Sequence, residues 1–206
     1  MTTIETARLI LRRWHDDDVA PMAAVNADPE VMRFIRDGAT RDEERTRADI
    51  EVWERHWETY GFGLFAVEVR ATGELAGFTG LAVPEYLPEM LPAVEVGWRL
   101  GRSVWGRGLA TEAARAALRF GFRDRGLAEV ISVIQLGNTA SERVAAKLGL
   151  CPHRTLTSPG SGRTLRIHSL DRAAYDATNA RNATDTANAT DTANAANTAD
   201  RADTAG

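Results

Sequence analysis

The chain has 206 residues, of which 44% are hydrophobic and 26% charged, a composition typical of a globular domain with a substantial core. Its formal net charge of -4 argues against the basic surfaces of proteins that bind nucleic acids or anionic membranes. The N-terminal sequence lacks the apolar segment of a signal peptide, and no apolar run reaches membrane-spanning length. Because Cys151 is the only cysteine, no internal disulfide can form, and we expect a cytoplasmic protein.

The composition of the chain changes at residue 177. Residues 177–206 are almost entirely Ala, Thr, Asn and Asp, and the hexapeptide ATDTAN occurs at 183–188 and again at 189–194. Without Val, Ile, Leu, Met or aromatic residues, this segment cannot bury enough apolar surface to offset the entropy cost of ordering. We therefore predict a folded domain over residues 1–176 and a disordered repeat tail over 177–206, with a weak alanine-driven helix as the alternative for the tail.

The first part of the chain predicts one strand and two helices. Leu9–Leu11 has the character of a strand, and the aspartates after it can cap a short helix. Thr40–Glu43 has the form of a capping box, which predicts a helix to about Tyr60. On that helix Trp53 and Trp57 follow the helical repeat, which predicts core packing, with the wall of a binding cleft as the alternative.

The rest of the chain predicts six further strands and two further helices. In chain order we expect strands at 64–70, 75–83 and 93–100, a helix to about 125, a strand at 129–134, a helix at 138–148, and a closing hairpin near 153–156 and 164–170. Strands and helices alternate only in the second half of this order. The elements therefore predict a mixed α/β sheet of about seven strands with about four helices.

Two glycines stand where the first of these later helices begins. In SVWGRGLATEA (residues 103–113), Gly106 and Gly108 precede an alanine-rich run. The first N–H groups of a helix are unpaired and carry partial positive charge, so glycines there let an anion approach the main chain. The stretch lacks the lysine of a P-loop, and Thr111 replaces the third glycine of a dinucleotide-binding fingerprint. The two glycines therefore predict an anion-binding loop of another kind, with a plain tight turn as the alternative.

Four stretches of the sequence resemble one family. WGRGLA (105–110) resembles the pyrophosphate loop of the GCN5-related N-acetyltransferases (GNAT), written (Q/R)xxGx(G/A), with Trp105 in place of the usual Gln or Arg. TARLILRRW (6–14), AVEVGWRL (93–100) and NTASERVAAKLGL (138–150) are similar to segments of the subgroup that includes the bacterial ribosomal-protein alanine acetyltransferases. The resemblance implies the GNAT fold, with a mostly antiparallel sheet, and transfer of an acetyl group from acetyl-CoA to a primary amine.

The resemblance assigns the general base to Glu95, acting through a water. Strand alternation places Glu95, Gly97 and Arg99 on one face and Val96 and Trp98 on the other. A backbone N–H near Gly97 or Trp98 is expected, by the same analogy, to hold the thioester oxygen. Without the resemblance, Glu95 would be interpreted as a carboxylate on the solvated face of a strand.

Asn138 and Ser141 have two interpretations. Asn138 is a good helix cap, and Thr139–Glu142 has the form of a capping box, so helix capping explains these residues without catalysis. In the resembled subgroup, the matching Asn contacts CoA and the matching Ser lies near its sulfur. The resemblance thus implies Ser141 as the acid that protonates the CoA thiolate, with water as the alternative. Many family members use a tyrosine for this step, but none occurs in residues 151–170.

The resemblance also implies which residues contact acetyl-CoA. They come from the end of the strand at 93–100, the glycine loop and the start of the helix at 138: Trp98, Leu100, Gly106, Arg107, Gly108, Leu109, Ala110, Thr111, Asn138 and Ser141. The four histidines are scattered without the spacing of metal ligands, so no metal site is predicted.

The sequence leaves the acceptor open. A protein N-terminus and a small-molecule amine would use the same chemistry, and the helix near Trp53–Tyr60 and the loop Pro84–Pro92 are expected to decide between them. A non-catalytic acyl-CoA-binding module is a third possibility, against which the presence of both Glu95 and Ser141 argues. We expect no nucleic-acid or membrane partner, and a monomer or homodimer.

Overall fold

The structure, a computed structural model, describes residues 2–180. Its contacts divide the chain into a unit that ends at Leu170 and a second unit that begins at Asp171. In the second unit, residues 172–180 are helical. The predicted tail is described only for residues 177–180, within this helix; residues 181–206 lie outside the described residues, so disorder of the tail stays a prediction.

Eight strands build a single sheet. They are β1 (Ile4–Glu5), β2 (Leu9–Arg12), β3 (Leu64–Val69), β4 (Leu75–Ala82), β5 (Glu95–Leu100), β6 (Glu129–Gln135), β7 (Cys151–Thr157) and β8 (Thr164–Asp171). Their order is β1-β2-β3-β4-β5-β6-β8-β7, in which β5 and β6 run parallel, while the pairs from β1 through β5 and the pair β7–β8 are antiparallel. The predicted mixed, mostly antiparallel sheet is confirmed, and the additional strand is the two-residue β1, too short to show a pattern.

Five α-helices accompany the sheet in residues 2–170. They are α1 (Val19–Asn26), α2 (Pro29–Met32), α3 (Glu43–Tyr60), α4 (Leu109–Arg119), which continues as a π-helical turn over Phe120–Asp124, and α5 (Thr139–Leu148). The four predicted helices are present, and the four-residue α2 was not predicted. The start predicted for α3 was wrong: Asp42, not Thr40, is the cap, because its carboxylate accepts the Arg45 N–H at 2.8 Å.

Helices pack on both faces of β4. Phe78 belongs to a buried cluster with residues of α1 and α3, among them Met22 and Ile50. Leu81, three residues along and so on the opposite face, lies against Gly121 at the end of α4. Trp53 packs against the Phe78 cluster, with a ring-centroid distance of 4.8 Å to Phe78. The core role predicted for this tryptophan is therefore confirmed.

Candidate active site

Glu95 lies where the parallel strand pair β5–β6 begins. Within the described residues, β5 and β6 are paired at a single register position, Glu95 with Ile131, and the Ile131 N–H donates to the Val94 carbonyl at 2.9 Å. On the other side of β5, the antiparallel ladder with β4 runs from Glu95 to Leu100. Glu95 is thus held at the narrow end of a gap between two strands.

The Glu95 carboxylate is half-buried and hydrogen-bonded. It accepts the Tyr86 hydroxyl at 2.8 Å and a backbone N–H from Val133. Removal from water raises the Glu95 pKa to about 7, and this effect outweighs the lowering by Tyr86, by Val133 and by the positive charge of Arg36. A carboxyl group with this pKa exchanges its proton near neutral pH, which is what a general base requires.

Tyr86 is a site residue that sequence reasoning missed. It comes from the loop between β4 and β5, for which the sequence predicted only a part in selecting the acceptor. Removal of its hydroxyl from water, and then the negative charge of Glu95 beside it, raise the Tyr86 pKa. The phenol therefore stays protonated and donates. The only signal in the sequence was that Tyr86 is the single aromatic residue of its loop.

The alternation predicted for β5 is confirmed by its contacts. Arg99 donates to the Asn26 side chain at 2.7 Å, and its guanidinium carbon lies 5.0 Å from the centre of the Phe78 ring. The face of β5 that carries Arg99 is therefore directed towards α1. Val96 is completely buried on the opposite face. Glu95 therefore shares the α1 face with Arg99.

The main chain of β5 directs a donor away from β4, three residues after Glu95. The Gly101 N–H donates to the Ala76 carbonyl at 2.8 Å, and ladder groups of an antiparallel pair alternate in direction. The N–H of Trp98 consequently points away from β4, into the gap towards β6. This donor matches the one expected to hold a thioester oxygen. The Leu100 side chain is only 5% exposed and its carbonyl accepts the Trp105 indole N–H at 2.8 Å, and its contact with CoA stays a prediction.

The glycine loop presents a row of unpaired amides. Gly106 and Gly108 have φ angles of 74° and 76°, and Gly108 is the N-cap of α4 without any side-chain cap. Within the described residues, none of the backbone N–H groups of residues 106–111 donates to a backbone carbonyl; the first such bond of the helix is from the Glu112 N–H to the Gly108 carbonyl, at 3.1 Å. The amides that the two glycines were expected to expose are therefore unpaired in the structure, and binding of an anion to them stays a prediction.

Contacts from the turn between β1 and β2 hold this loop in place. The Glu112 carboxylate in the first turn of α4 accepts the Thr6 hydroxyl at 2.6 Å and the Arg8 backbone N–H at 2.9 Å. The Arg8 guanidinium binds the same carboxylate and the Arg107 carbonyl, the latter at 2.8 Å. Arg8, Arg70 and Arg107 line an adjoining cavity of about 330 Å³, so positive charge surrounds the amides.

The structure assigns helix capping to Asn138. Its side-chain oxygen accepts the Ser141 N–H at 3.2 Å, at the start of α5. The capping box suggested for Thr139–Glu142 was wrong. The Glu142 carboxylate does not reach back to the main chain but accepts from the Arg166 guanidinium at 2.8 Å. Ser141 is half-buried, and its hydroxyl forms no hydrogen bond within the described residues. Capping by Asn138 accounts for that residue without a ligand, so its contact with CoA stays a prediction.

The described part of the chain has neither a metal-ligand cluster nor a membrane-spanning helix. Residues 2–180 contain no group of three or more His, Cys, Asp and Glu side chains placed to hold a metal ion. Among the same residues, no helix combines the length and the apolar character needed to cross a membrane.

Comparison with known proteins agrees with this geometry. A family model described as an acetyltransferase (GNAT) domain matches residues 8–150, more than half of the chain. The uncharacterized protein YkkB of Bacillus subtilis is 35% identical over 156 residues, which cover 75% of this chain and 88% of YkkB. The FsC-acetyl coenzyme A-N(2)-transacetylase of Aspergillus fumigatus is 34% identical over 72% of this chain, which spans only 64% of that longer enzyme.

Solved structures share the fold. RimL, described as a ribosomal L7/L12 α-N-protein acetyltransferase and solved in complex with coenzyme A, superposes with a TM-score of 0.67 at 16% sequence identity, covering 82% of this chain and 98% of RimL. At this identity the likeness concerns the fold alone. The family-domain match and the relatives above 30% identity, taken with the site geometry, show that this chain belongs to the GNAT acetyltransferase family.

Proposed function

We propose that this protein transfers the acetyl group of acetyl-CoA directly to a primary amine, with Glu95 as the general base. The observation that carries the proposal is the Glu95 carboxyl group itself, desolvated to a pKa of about 7 at the opening between β5 and β6. A carboxylate on a solvated strand face, the other interpretation of this residue, would keep an ordinary pKa.

The cofactor side of the site is assigned to the glycine loop. The unpaired amides of residues 106–111 fit a diphosphate, whose oxygens accept several hydrogen bonds. Trp105 ties the loop to the end of β5 through the Leu100 carbonyl. Asn138 and Ser141, on the helix that follows β6, complete the proposed acetyl-CoA contacts. The Trp98 N–H is proposed to hold the thioester oxygen as negative charge develops on it.

The proposed reaction has one bond-forming step. Glu95, through a water, takes a proton from the acceptor ammonium, and the free amine attacks the thioester carbon. The new C–N bond forms and the C–S bond breaks. The nitrogen then gives up its second proton, which reaches the thiolate through Ser141 or through water, so that Ser141 ends the reaction protonated. A carboxylate has about four lone-pair sites, so Glu95 can accept the proton while it holds the hydrogen bonds from Tyr86 and Val133.

The acceptor is proposed to be a protein N-terminus or a small amine. The description of RimL fits the first, and the name of the Aspergillus transacetylase fits the second. A cytoplasmic location, and a monomeric or homodimeric state, stay part of the proposal.

Product analysis tests this function. The protein is incubated with acetyl-CoA and pooled peptides and metabolites, and products are sought by mass spectrometry while coenzyme A binding is measured by calorimetry. We expect coenzyme A binding together with an amine product heavier by one acetyl group. Tight coenzyme A binding without acetylation of any amine would favour a non-catalytic module, and no heat at millimolar coenzyme A would contradict the proposal altogether.

Tyr86→Phe is expected to shift the pH dependence of the reaction. The Tyr86 hydroxyl stabilises the ionised Glu95, so its loss raises the Glu95 pKa and moves the rise in kcat/KM to higher pH. At pH 6.5 the rate should fall by about threefold to tenfold, while the rate at pH 9 is nearly kept. Tyr60→Phe, which removes a hydroxyl bound to Glu85 instead, is the matched control and should leave the profile in place. An unshifted profile in Tyr86→Phe would remove the assigned role.

A further inference from the structure

A second cavity lies beside Glu95, away from the glycine loop. It has a volume of about 290 Å³, and Tyr86 forms part of its wall. The hydroxyl of the same tyrosine donates to the Glu95 carboxylate at 2.8 Å. A single side chain therefore connects this cavity to the proposed base.

Positive charge predominates in the wall of this cavity. Arg36, Arg41 and Arg45 line it, against the single carboxylate of Asp37. Arg41 is paired with Asp49, whereas Arg36 and Arg45 form no ion pair with any residue in the 2–180 range. The Asp37 carboxylate already accepts the Ala39 N–H at 3.1 Å. Both of these side chains are exposed, so two guanidinium groups of the cavity wall are available to bind an anion.

The segment that carries Arg36 is fixed by a distant residue. Arg163 donates to the Arg33 carbonyl at 2.8 Å and to the Asp37 carbonyl at 2.6 Å. Between these two anchors, Arg36 adopts a φ angle of 51°, which is uncommon for a residue with a side chain. Its guanidinium carbon lies 5.6 Å from the centre of the Tyr86 ring. Such strain persists where the surroundings enforce a geometry, and here the two anchors fix the backbone from which Arg36 reaches Tyr86.

Arg99 adds positive charge on the side of β5 that carries Glu95. Its Nε atom is buried without a hydrogen-bond partner in the described structure. Burial, and then repulsion by Arg41 and Arg36, lowers the Arg99 pKa to about 9. A bound anion near these arginines would reduce their mutual repulsion.

We infer that the acceptor amine carries a carboxylate, which Arg36 and Arg45 bind while the amine lies at Glu95. The inference rests on the proposed function and names its substrate class. The two ends of this region suit opposite charges, because the Glu95 carboxylate attracts an ammonium group and the guanidinium groups attract an anion. Ser158 and Ser161, from the loop between β7 and β8, supply further hydroxyl donors to the cavity wall. An acidic peptide side chain and a free amino acid present the same chemistry.

Matched acceptor pairs test the inference. Initial rates are compared for 4-aminobutyrate against 4-aminobutyramide, and for the peptide amides Ser-Glu-Gly against Ser-Gln-Gly, so that each pair differs only in carboxylate against carboxamide. We expect kcat/KM to be at least about tenfold higher for the carboxylate in one pair, and that pair identifies the source of the carboxylate. Equal rates within both pairs would contradict the inference.

Arginine variants connect the preference to the cavity. Arg45→Gln should reduce the carboxylate preference by about tenfold, while Arg47→Gln, two residues along α3 and so on another side of the helix, should keep it. Arg36→Gln is compared at pH 9, where Glu95 is deprotonated and the influence of Arg36 on its pKa does not enter. A preference that persists in both the Arg36 and Arg45 variants would overturn the assignment.

Failure of the inference and failure of the proposed function give different results. If only the inference fails, both members of a pair are acetylated equally; if the function fails, no amine is acetylated. In the second case, the N-acetylated carboxylate and carboxamide peptides are titrated into the protein in the presence of coenzyme A. A carboxylate affinity at least about tenfold higher, lost in Arg45→Gln, would still support the cavity assignment, and equal affinities would contradict it.

Discussion

Glu95→Gln is expected to lower kcat/KM for the acceptor by about 10²- to 10⁴-fold, the usual contribution of a general base. The wild-type value should rise with pH and level off above about 7, since only the deprotonated carboxylate accepts the proton. Glutamine keeps the shape of the side chain but cannot accept that proton, so the variant should show little of this rise. Steady-state rates between pH 5.5 and 9 measure both effects.

Two controls separate catalysis from folding in this experiment. Burial raises the Glu95 pKa in the folded protein, so folding with an ionised carboxylate is unfavourable at high pH, and Glu95→Gln should leave the Tm at pH 8 unchanged or higher. Acetyl-CoA affinity should also be unchanged, because the glycine loop is intact. Glu89→Gln, an exposed carboxylate of the neighbouring loop, should behave as wild type. Wild-type rates in Glu95→Gln would show that Glu95 is a surface residue without a catalytic role.

Gly108→Val is expected to weaken acetyl-CoA binding by about 10- to 100-fold. Gly108 has a φ angle of 76° at the N-cap of α4, a conformation that strains any β-branched residue by about 1–2 kcal/mol. Relief of this strain requires the loop to turn, and the amides of residues 106–111 then no longer converge. Calorimetric titration with acetyl-CoA measures the loss.

Gly126→Val is the matched control for this variant. Gly126 lies beyond the other end of the same helical segment, with a φ angle of 68° and open space around the position of a Cβ atom. It should lose a similar amount of stability, measured by urea unfolding, and keep acetyl-CoA affinity. Equal losses of affinity in the two variants would attribute the effect to general destabilisation, and an unchanged affinity in Gly108→Val would contradict the role of the amides.

Trp105 shows how the chain departs from the family pattern without loss of the loop. The pattern has a Gln or Arg at this position, and this sequence has an indole. In the structure the indole N–H donates to the Leu100 carbonyl, which ties the end of β5 to the loop. The departure thus concerns the attachment of the loop, while the main-chain amides that face outwards are independent of the side chain.

Local patterns in the sequence determined much of this protein. The strand and helix repeats indicated the mixed sheet, because burial of one face imposes a period that the residues must follow. Gly106 and Gly108 indicated the exposed amides, and Asn138 indicated the start of α5, since these features depend on residues within one turn of chain. At the start of α3 the pattern favoured a capping box that begins at Thr40, whereas the structure has Asp42 as the cap.

Only the tertiary structure decided the chemistry around Glu95. The hydrogen bond from Tyr86, the desolvation that raises the Glu95 pKa, and the cavity with Arg36 and Arg45 join parts of the chain that lie far apart or in loops without a repeat. Such contacts leave no periodic pattern in a sequence, because the conformation of a loop depends on its surroundings. Here Arg163, in the loop between β7 and β8, anchors the segment that carries Arg36. A carboxylate in a strand has an ordinary pKa until neighbouring elements remove its water, and that removal is a property of packing.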